Sequence, residues 1–283
     1  MRIVAILAAA LILAGAVLAF SGAGPAAPRA TLAPAASGST NVSATRPPDA
    51  AAPATPSTTP PPPTPLPSGY TFYDDFDGTT LSPAWVQHFD FDGIENTWAS
   101  SQAAVHDGYL AITASRAGSG WVSQLLDTKT TWTQRYGRFE ARMKVPRGNG
   151  LWPAFWSYAA GDGWEAEIDT MEVCANPAGD NERNDVSLLH NTVRWVGGQG
   201  DGDTRGEDLS LDFHVYAVDW RPDHIAFFLD DREVWRFIDR EHIPDMPLPL
   251  IVNLAVGGSW CGSSDATTPD GATLLVDWIR ARE

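Results

Sequence analysis

The chain is short of positive charge: 19 Lys plus Arg stand against 35 Asp plus Glu, a formal charge of −16. A nucleic-acid binder draws most of its affinity from cations that neutralise phosphates, so no nucleic-acid partner is expected. A neutral polymer is compatible with this charge. Cysteine is nearly absent, with Cys174 and Cys261 alone. Two cysteines do not make a zinc site, and neither has a convincing histidine partner for catalysis as a thiol. Also missing are any internal repeat, which disfavours a propeller, and any amphipathic helix beyond one turn near residues 238–242.

The first quarter lacks what a core needs, since all 12 tryptophans and both cysteines lie beyond residue 70. Residues 1–23 read as an export signal: Arg2, an uncharged apolar run over 3–20, then small residues. The run is nearly long enough to span a bilayer, so an uncleaved membrane tether is the rival expectation. Both place the rest of the chain outside the cytoplasm, as a secreted, periplasmic or cell-surface protein. Residues 24–68 are dominated by Pro, Ala, Thr and Ser. They carry too little apolar bulk to offset ordering entropy, and proline makes such a stretch a semi-rigid spacer. That leaves residues 69–283 as one domain, long enough for a sizeable core.

Within that domain the pattern is nearly all strand. Residues 103–106 and 109–112 flank Asp107-Gly108 as a hairpin with a tight turn. Residues 136–145 alternate, with Phe139, Ala141, Met143 and Val145 on one face and Arg138, Glu140 and Arg142 on the other. Further runs cover 214–220, 225–229, 233–237, 250–256 and 274–279. Many short strands broken by turn residues indicate an all-β fold, here an antiparallel two-sheet sandwich.

The informative segment is the acidic strand at 164–173. Glu167 and Asp169 share one strand face, with Ile168 opposite. Glu172, five residues past Glu167, falls on the other face unless a bulge near Thr170-Met171 returns it. Clustered carboxylates raise at least one pKa and share protons, which a solvated acidic edge would avoid. The flanking Trp164, Ile168, Met171 and Val173 instead indicate an interior strand. Glycoside hydrolysis is the chemistry that wants two glutamates, one ionised to attack the anomeric carbon and one protonated to release the leaving oxygen.

The hexapeptide Glu-Ile-Asp-Thr-Met-Glu at 167–172 resembles the Glu-x-Asp-x-x-Glu signature of glycoside hydrolase family 16, in its bulged, laminarinase-like form. Six further segments support the resemblance in order: 74–78, 136–142, 150–156, 213–216, 253–258 and 275–277. It implies a lectin-like jelly-roll sandwich with an open cleft on its concave sheet. It also implies endo-acting, retaining cleavage of β-linked glycans. By position, Glu167 matches the nucleophile, Glu172 the general acid/base and Asp169 the partner that tunes the nucleophile. No catalytic cofactor is implied. The expected partner is a β-glucan: a β-1,3-glucan first, then a mixed-linkage β-1,3-1,4-glucan or an exopolysaccharide. A non-catalytic glycan-binding module is the alternative outside the enzymes, and a monomer is expected. Departures are Ala166 where Gly is usual, Thr170 where Ile is common, Val173-Cys174, and a loosely kept His190-Asn191-Thr192.

Around this centre, Trp152, Trp156 and Trp164 match the family's cleft positions. Their flat faces suit the C–H surfaces of sugars, with Trp98 and Trp260 weaker candidates. Asn96 and His190 are candidate partners for substrate hydroxyls. In an exported chain Cys174 and Cys261 favour a disulfide near the cleft. The family's structural calcium would sit at Asp75, Gly108 and Asp277, a set of oxygen donors suited to a hard cation.

Overall fold

The computed structural model describes residues 66–87, 91, 93–158, 166–176 and 185–283. The signal, most of the spacer and Trp164 lie outside the described residues.

Two sheets form the domain, with strands labelled in chain order. The larger has ten strands. Its path runs β14 (Arg232–Phe237), β13 (Ile225–Leu229), β12 (His214–Trp220), β7 (Gly137–Lys144), β16 (Ala272–Arg282), β4 (Tyr109–Ala117), β5 (Gly120–Ser123) and β2 (Asn96–Trp98). On its flanks, β1 (Phe72–Asp74) pairs with β16 and β3 (Ala103–His106) with β4. The smaller sheet runs β11 (Gly198–Arg205), β10 (Leu188–Trp195), β9 (Ala166–Glu172), β8 (Leu151–Tyr158), β15 (Ile251–Val256) and β6 (Leu125–Asp127). This is the expected all-β jelly-roll sandwich. One pairing departs from the antiparallel rule, with β2 parallel to β5. Among the described residues the only helical pieces are two three-residue 3-10 turns, one of them Arg240–His242.

The alternation read at 136–145 sorts as expected. Phe139, Ala141 and Met143 join Ile168, Met171, Val218, Phe227 and Val252 in the core between the sheets. Glu140, on the outward face, is nonetheless buried. Arg138 Nε donates to it at 2.6 Å and Arg280 Nε at 2.9 Å. Burial alone would raise its pKa, but the two guanidiniums outweigh that and hold it below the ordinary range. The Asp107-Gly108 turn has both residues at positive φ, 54° and 77°, the geometry that a two-residue hairpin matched to strand twist requires.

Strand β11 has no counterpart in the sequence reading, because Gly-Gln-Gly-Asp-Gly-Asp looks like a loop. Its glycines answer to sterics. A Cβ on Gly198 would lie 2.8 Å from Trp195, one on Gly200 2.8 Å from Phe237, and one on Gly202 would collide with Trp235. The aromatic side chains approach the strand so closely that only glycine fits at these alternate positions.

Cys174 and Cys261 form the expected disulfide, with Cα atoms 5.0 Å apart across 87 residues of sequence. It ties the end of the acidic strand to the loop after β15. Replacing both cysteines with serine should lower stability by about 2–5 kcal/mol, since the cross-link restricts a long loop of the unfolded chain. Urea unfolding at one pH, with and without the pair, checks this; an unchanged midpoint would show that the loop is held without it.

Candidate active site

Strand β9 is central in its sheet, between β8 and β10, and its register gives the geometry. Against β8, Glu167 pairs with Tyr158, Asp169 with Trp156, Met171 with Phe155 and Glu172 with Ala154. The partner strand therefore steps by two residues between Asp169 and Glu172 while β9 steps by three. Thr170 is the additional residue. The same shift recurs against β10, between His190 and Thr192. This bulge returns Glu172 to the face of Glu167 and Asp169, and all three carboxylates line one cavity of about 810 Å³.

The three are almost wholly buried, at 6%, 2% and 6% exposure. Burial disfavours the charged form of a carboxyl. It is the main cause of the rise of Glu167 to about 7, against which a hydrogen bond from Asp169 and the Arg194 charge act. Asp169 is pushed well up by burial and then by the Glu167 charge. Glu172 is also pushed well up, by burial and then by Asp169. Trp152 Nε1 donates to Glu172 Oε1 at 3.0 Å. Glu167 Oε2 and Asp169 Oδ2 make no well-aligned hydrogen bond in the described structure.

Among the described residues one cation meets this face. Arg194, opposite Glu167 in the β9–β10 register, brings its Nε to 2.9 Å from Glu167 Oε1 and 3.6 Å from Asp169 Oδ2. Charge is thus compensated directly at Glu167, while Glu172 receives a neutral indole donor. Two glutamates in environments this different can divide the roles of ionised nucleophile and protonated acid.

Two of the three tryptophans expected in the cleft are placed at the cavity. Trp152 and Trp156 line the cavity, and Trp156 Nε1 is anchored on Asn253 Oδ1 at 2.8 Å; Trp164 lies outside the described residues. Trp260 packs on Trp152 with ring centres 5.0 Å apart and on His190 at 4.8 Å, brought there by the loop that the disulfide holds. His190 is set back from the cavity lining, opposite Glu172, with Nδ1 2.7 Å from Asp203 Oδ1.

Asn96 requires a correction as a sugar contact. It is buried, its Oδ1 accepts from Val256 N at 2.8 Å and its Nδ2 donates to the Thr97 carbonyl. Its amide serves the backbone, away from the cavity lining. Phe91, Arg194 and Asn253 do line it and were missed. A signal existed for Arg194: it follows His190 by four residues, so strand alternation puts both on one face. Asn253 sits in a segment recognised for its resemblance but given no role. Phe91 carries no signal of its own.

The three residues expected at a calcium ion have other contacts. Asp277 is ion-paired with Arg142, Asp75 accepts from Asp77 N at 3.4 Å, and Gly108 forms a hairpin turn. No group of three His, Cys, Asp or Glu among the described residues could hold a metal. The expected set is of another kind, backbone carbonyls plus a carboxylate, and no step below uses a metal.

The buried triplet makes stability depend on pH. A carboxyl with a higher pKa folded than unfolded binds more protons in the native state, so stability falls as pH rises. The contribution is fullest below the ordinary carboxylate value of about 4 and is lost as pH climbs through about 7. The thermal midpoint should be higher at pH 5 than at pH 8. Glu172→Gln should recover part of the loss at pH 8, each kcal/mol being worth about 2–4 °C in a domain of this size. Scanning calorimetry checks this, and a wild type more stable at pH 8 would contradict the electrostatics given above.

With this geometry in hand, the likeness to known proteins can be stated. The model of glycosyl hydrolases family 16 matches residues 91–280. A β-glucanase of Rhodothermus marinus is 34% identical over 73% of this chain and 82% of that protein. An endo-1,3-1,4-β-glycanase of Rhizobium meliloti, ExsH, is 30% identical over 72% of this chain, which spans only 44% of it. Among solved structures, the laminarinase from Rhodothermus marinus superposes with a TM-score of 0.63 at 30% identity, covering 76% of this chain and 96% of that one. Since the family model runs from Phe91 at the cavity wall almost to the end of the last strand, the chain belongs to glycosyl hydrolases family 16 and is a glycoside hydrolase.

Proposed function

We propose that this chain is an exported, endo-acting β-glucanase that cleaves β-1,3-glucan by double displacement with retention of configuration. The observation that carries the reading is the Thr170 bulge, which aligns Glu167 and Glu172 on one face of a single cavity. In the first step a Glu167 oxygen attacks the anomeric carbon as the glycosidic C–O bond breaks, and the Glu172 proton passes to the leaving oxygen. In the second, Glu172 takes a proton from water, whose oxygen displaces Glu167 from the sugar. Asp169 in its protonated form donates to Glu167 and holds its orientation. Trp152 and Trp156 offer faces to the sugar rings, and Trp152 also orients Glu172. A cavity open to solvent suits internal cleavage of a polymer. The β-glucanase and laminarinase names of the relatives support a β-glucan substrate. Export rests on the apolar N-terminal run and the proline-rich spacer.

A mixed-linkage β-1,3-1,4-glucan is the second reading, favoured by the name of the Rhizobium relative. Reducing ends released from a panel of β-1,3-, β-1,3-1,4- and β-1,4-glucans separate the two, with β-1,3-glucan expected to be cleaved fastest. Inactivity on every member would favour a binding module. Glu167→Ala should abolish hydrolysis and keep glucan binding, whereas Glu172→Ala should slow it by about 10²–10⁴-fold. Proton NMR during early turnover should show the β-anomer first; an α-anomer would rule out double displacement.

A further inference from the structure

Arg194 lies outside the segments that carry the resemblance, yet the structure sets its guanidinium beside two of the three clustered acids. Its strand position opposite Glu167 is fixed by the β9–β10 register. Its Nε lies between the carboxyls of Glu167 and Asp169, at 2.9 and 3.6 Å. That nitrogen is buried and makes no aligned hydrogen bond, so the contact is ionic. The far end of the side chain is fixed separately: Nη1 donates to Gln199 Oε1 at 2.9 Å, and Gln199 Nε2 donates to Asp201 Oδ1 at 2.7 Å. A surface arginine placed for solubility would not have its head braced on one side and two buried carboxyls on the other.

We propose that Arg194 is a positioning residue of the hydrolytic reaction, clamping Glu167 and supplying the adjacent positive charge that keeps it an ionised nucleophile. This rests on the hydrolytic reading of the site. The groups that face Glu167 leave few alternatives. Asp169 and Glu172 share its strand face; the Glu172 charge opposes its ionisation, and Asp169 favours it only through a donated hydrogen bond. From β8, Tyr158 stands opposite it in register. From β11, beyond Arg194, Asp201 is a further acid. Strand β12 reaches β9 from the core side, where Tyr216 is buried. Arg194 is the only cation among these, and its charge acts with the Asp169 hydrogen bond against the effect of burial on Glu167. Asp169 helps only while it keeps its proton, which ties its state to the same guanidinium.

The test is the pH dependence of kcat/KM, whose acid limb reports the group that must be ionised in the free enzyme. Losing an opposite charge at this range moves a carboxyl upward by about one to three pH units. Arg194→Gln should therefore shift the acid limb to higher pH by at least about one unit, so its activity deficit is larger at pH 6 than at pH 8. The loss should lie in kcat rather than KM, and Arg194→Lys should restore part of the limb. A uniform loss at all pH values, or a rise in KM with kcat intact, would overturn the proposal, the second by making Arg194 a sugar contact. Titration of the Glu167 carboxyl carbon by NMR, in wild type and Arg194→Gln, supplies a readout that needs no turnover. If wild type cleaves no glucan, the functional reading fails, and this titration alone decides whether Arg194 sets the charge of Glu167. An unmoved carboxyl titration would refute the clamp.

Discussion

Three carboxyl groups on one buried strand face form an arrangement that water would normally relieve. Each ionised carboxylate in a poorly hydrated site carries a desolvation cost of several kcal/mol unless a partner compensates it. The fold supplies one guanidinium and one indole N–H, and otherwise leaves protons on the groups. Much of the site follows from that restriction. If a single positive charge meets three acids, the ionisation pattern is set by which acid it touches, and Arg194 touches Glu167. Glu172 is pushed well up by burial, against which the Trp152 indole acts, and on the proposed reading it is the group with a proton to give. The division of labour between two chemically identical side chains is therefore a property of neighbouring strands.

Holding the carboxyls in reach of one bond needs a strand that is both central and irregular. A regular strand would send Glu172 into the core beside Ile168 and turn Met171 out of it. The bulge at Thr170 avoids this by letting β8 and β10 each skip one position. Asn191, on β10, secures the irregularity from the side by donating through Nδ2 to the Thr170 carbonyl at 2.7 Å. The disulfide then fixes the chain just beyond Glu172 to the loop that carries Trp260, and Trp260 packs on Trp152. One covalent link thereby connects the backbone next to the acid with the aromatic wall that donates to it.

The sequence was most readable where local pattern and tertiary need agree. The hairpin at Asp107-Gly108, the strands at 214–220 and 225–229, and the bulge near Thr170 all follow from alternation and turn chemistry, and the disulfide from two cysteines in a chain expected to be exported. Strand β11 was illegible because its glycines answer to Trp195, Phe237 and Trp235, most of which lie far along the chain. Asn96 misled for a related reason. It was a candidate partner for a substrate hydroxyl, but its amide is used by the backbone of Val256. Arg194 lay in plain view on a strand with His190, and only the register showed which acid it faces.

The acidic surface and the single clamped cation also bear on which polymers suit the cavity. A polyanion would meet repulsion from the net charge of −16 and would compete with Glu167 for Arg194, the guanidinium on which its ionisation depends. Uncharged sugars impose neither penalty. They would also displace water from an already poorly hydrated face, which raises further the cost of a second negative charge. Substrate entry would then strengthen the hold of Glu172 on its proton while the ionic contact at Glu167 grows stronger in the drier medium. The same event that delivers the glycosidic bond thus widens the difference between the two glutamates, so a neutral substrate helps to prepare the catalyst that cleaves it.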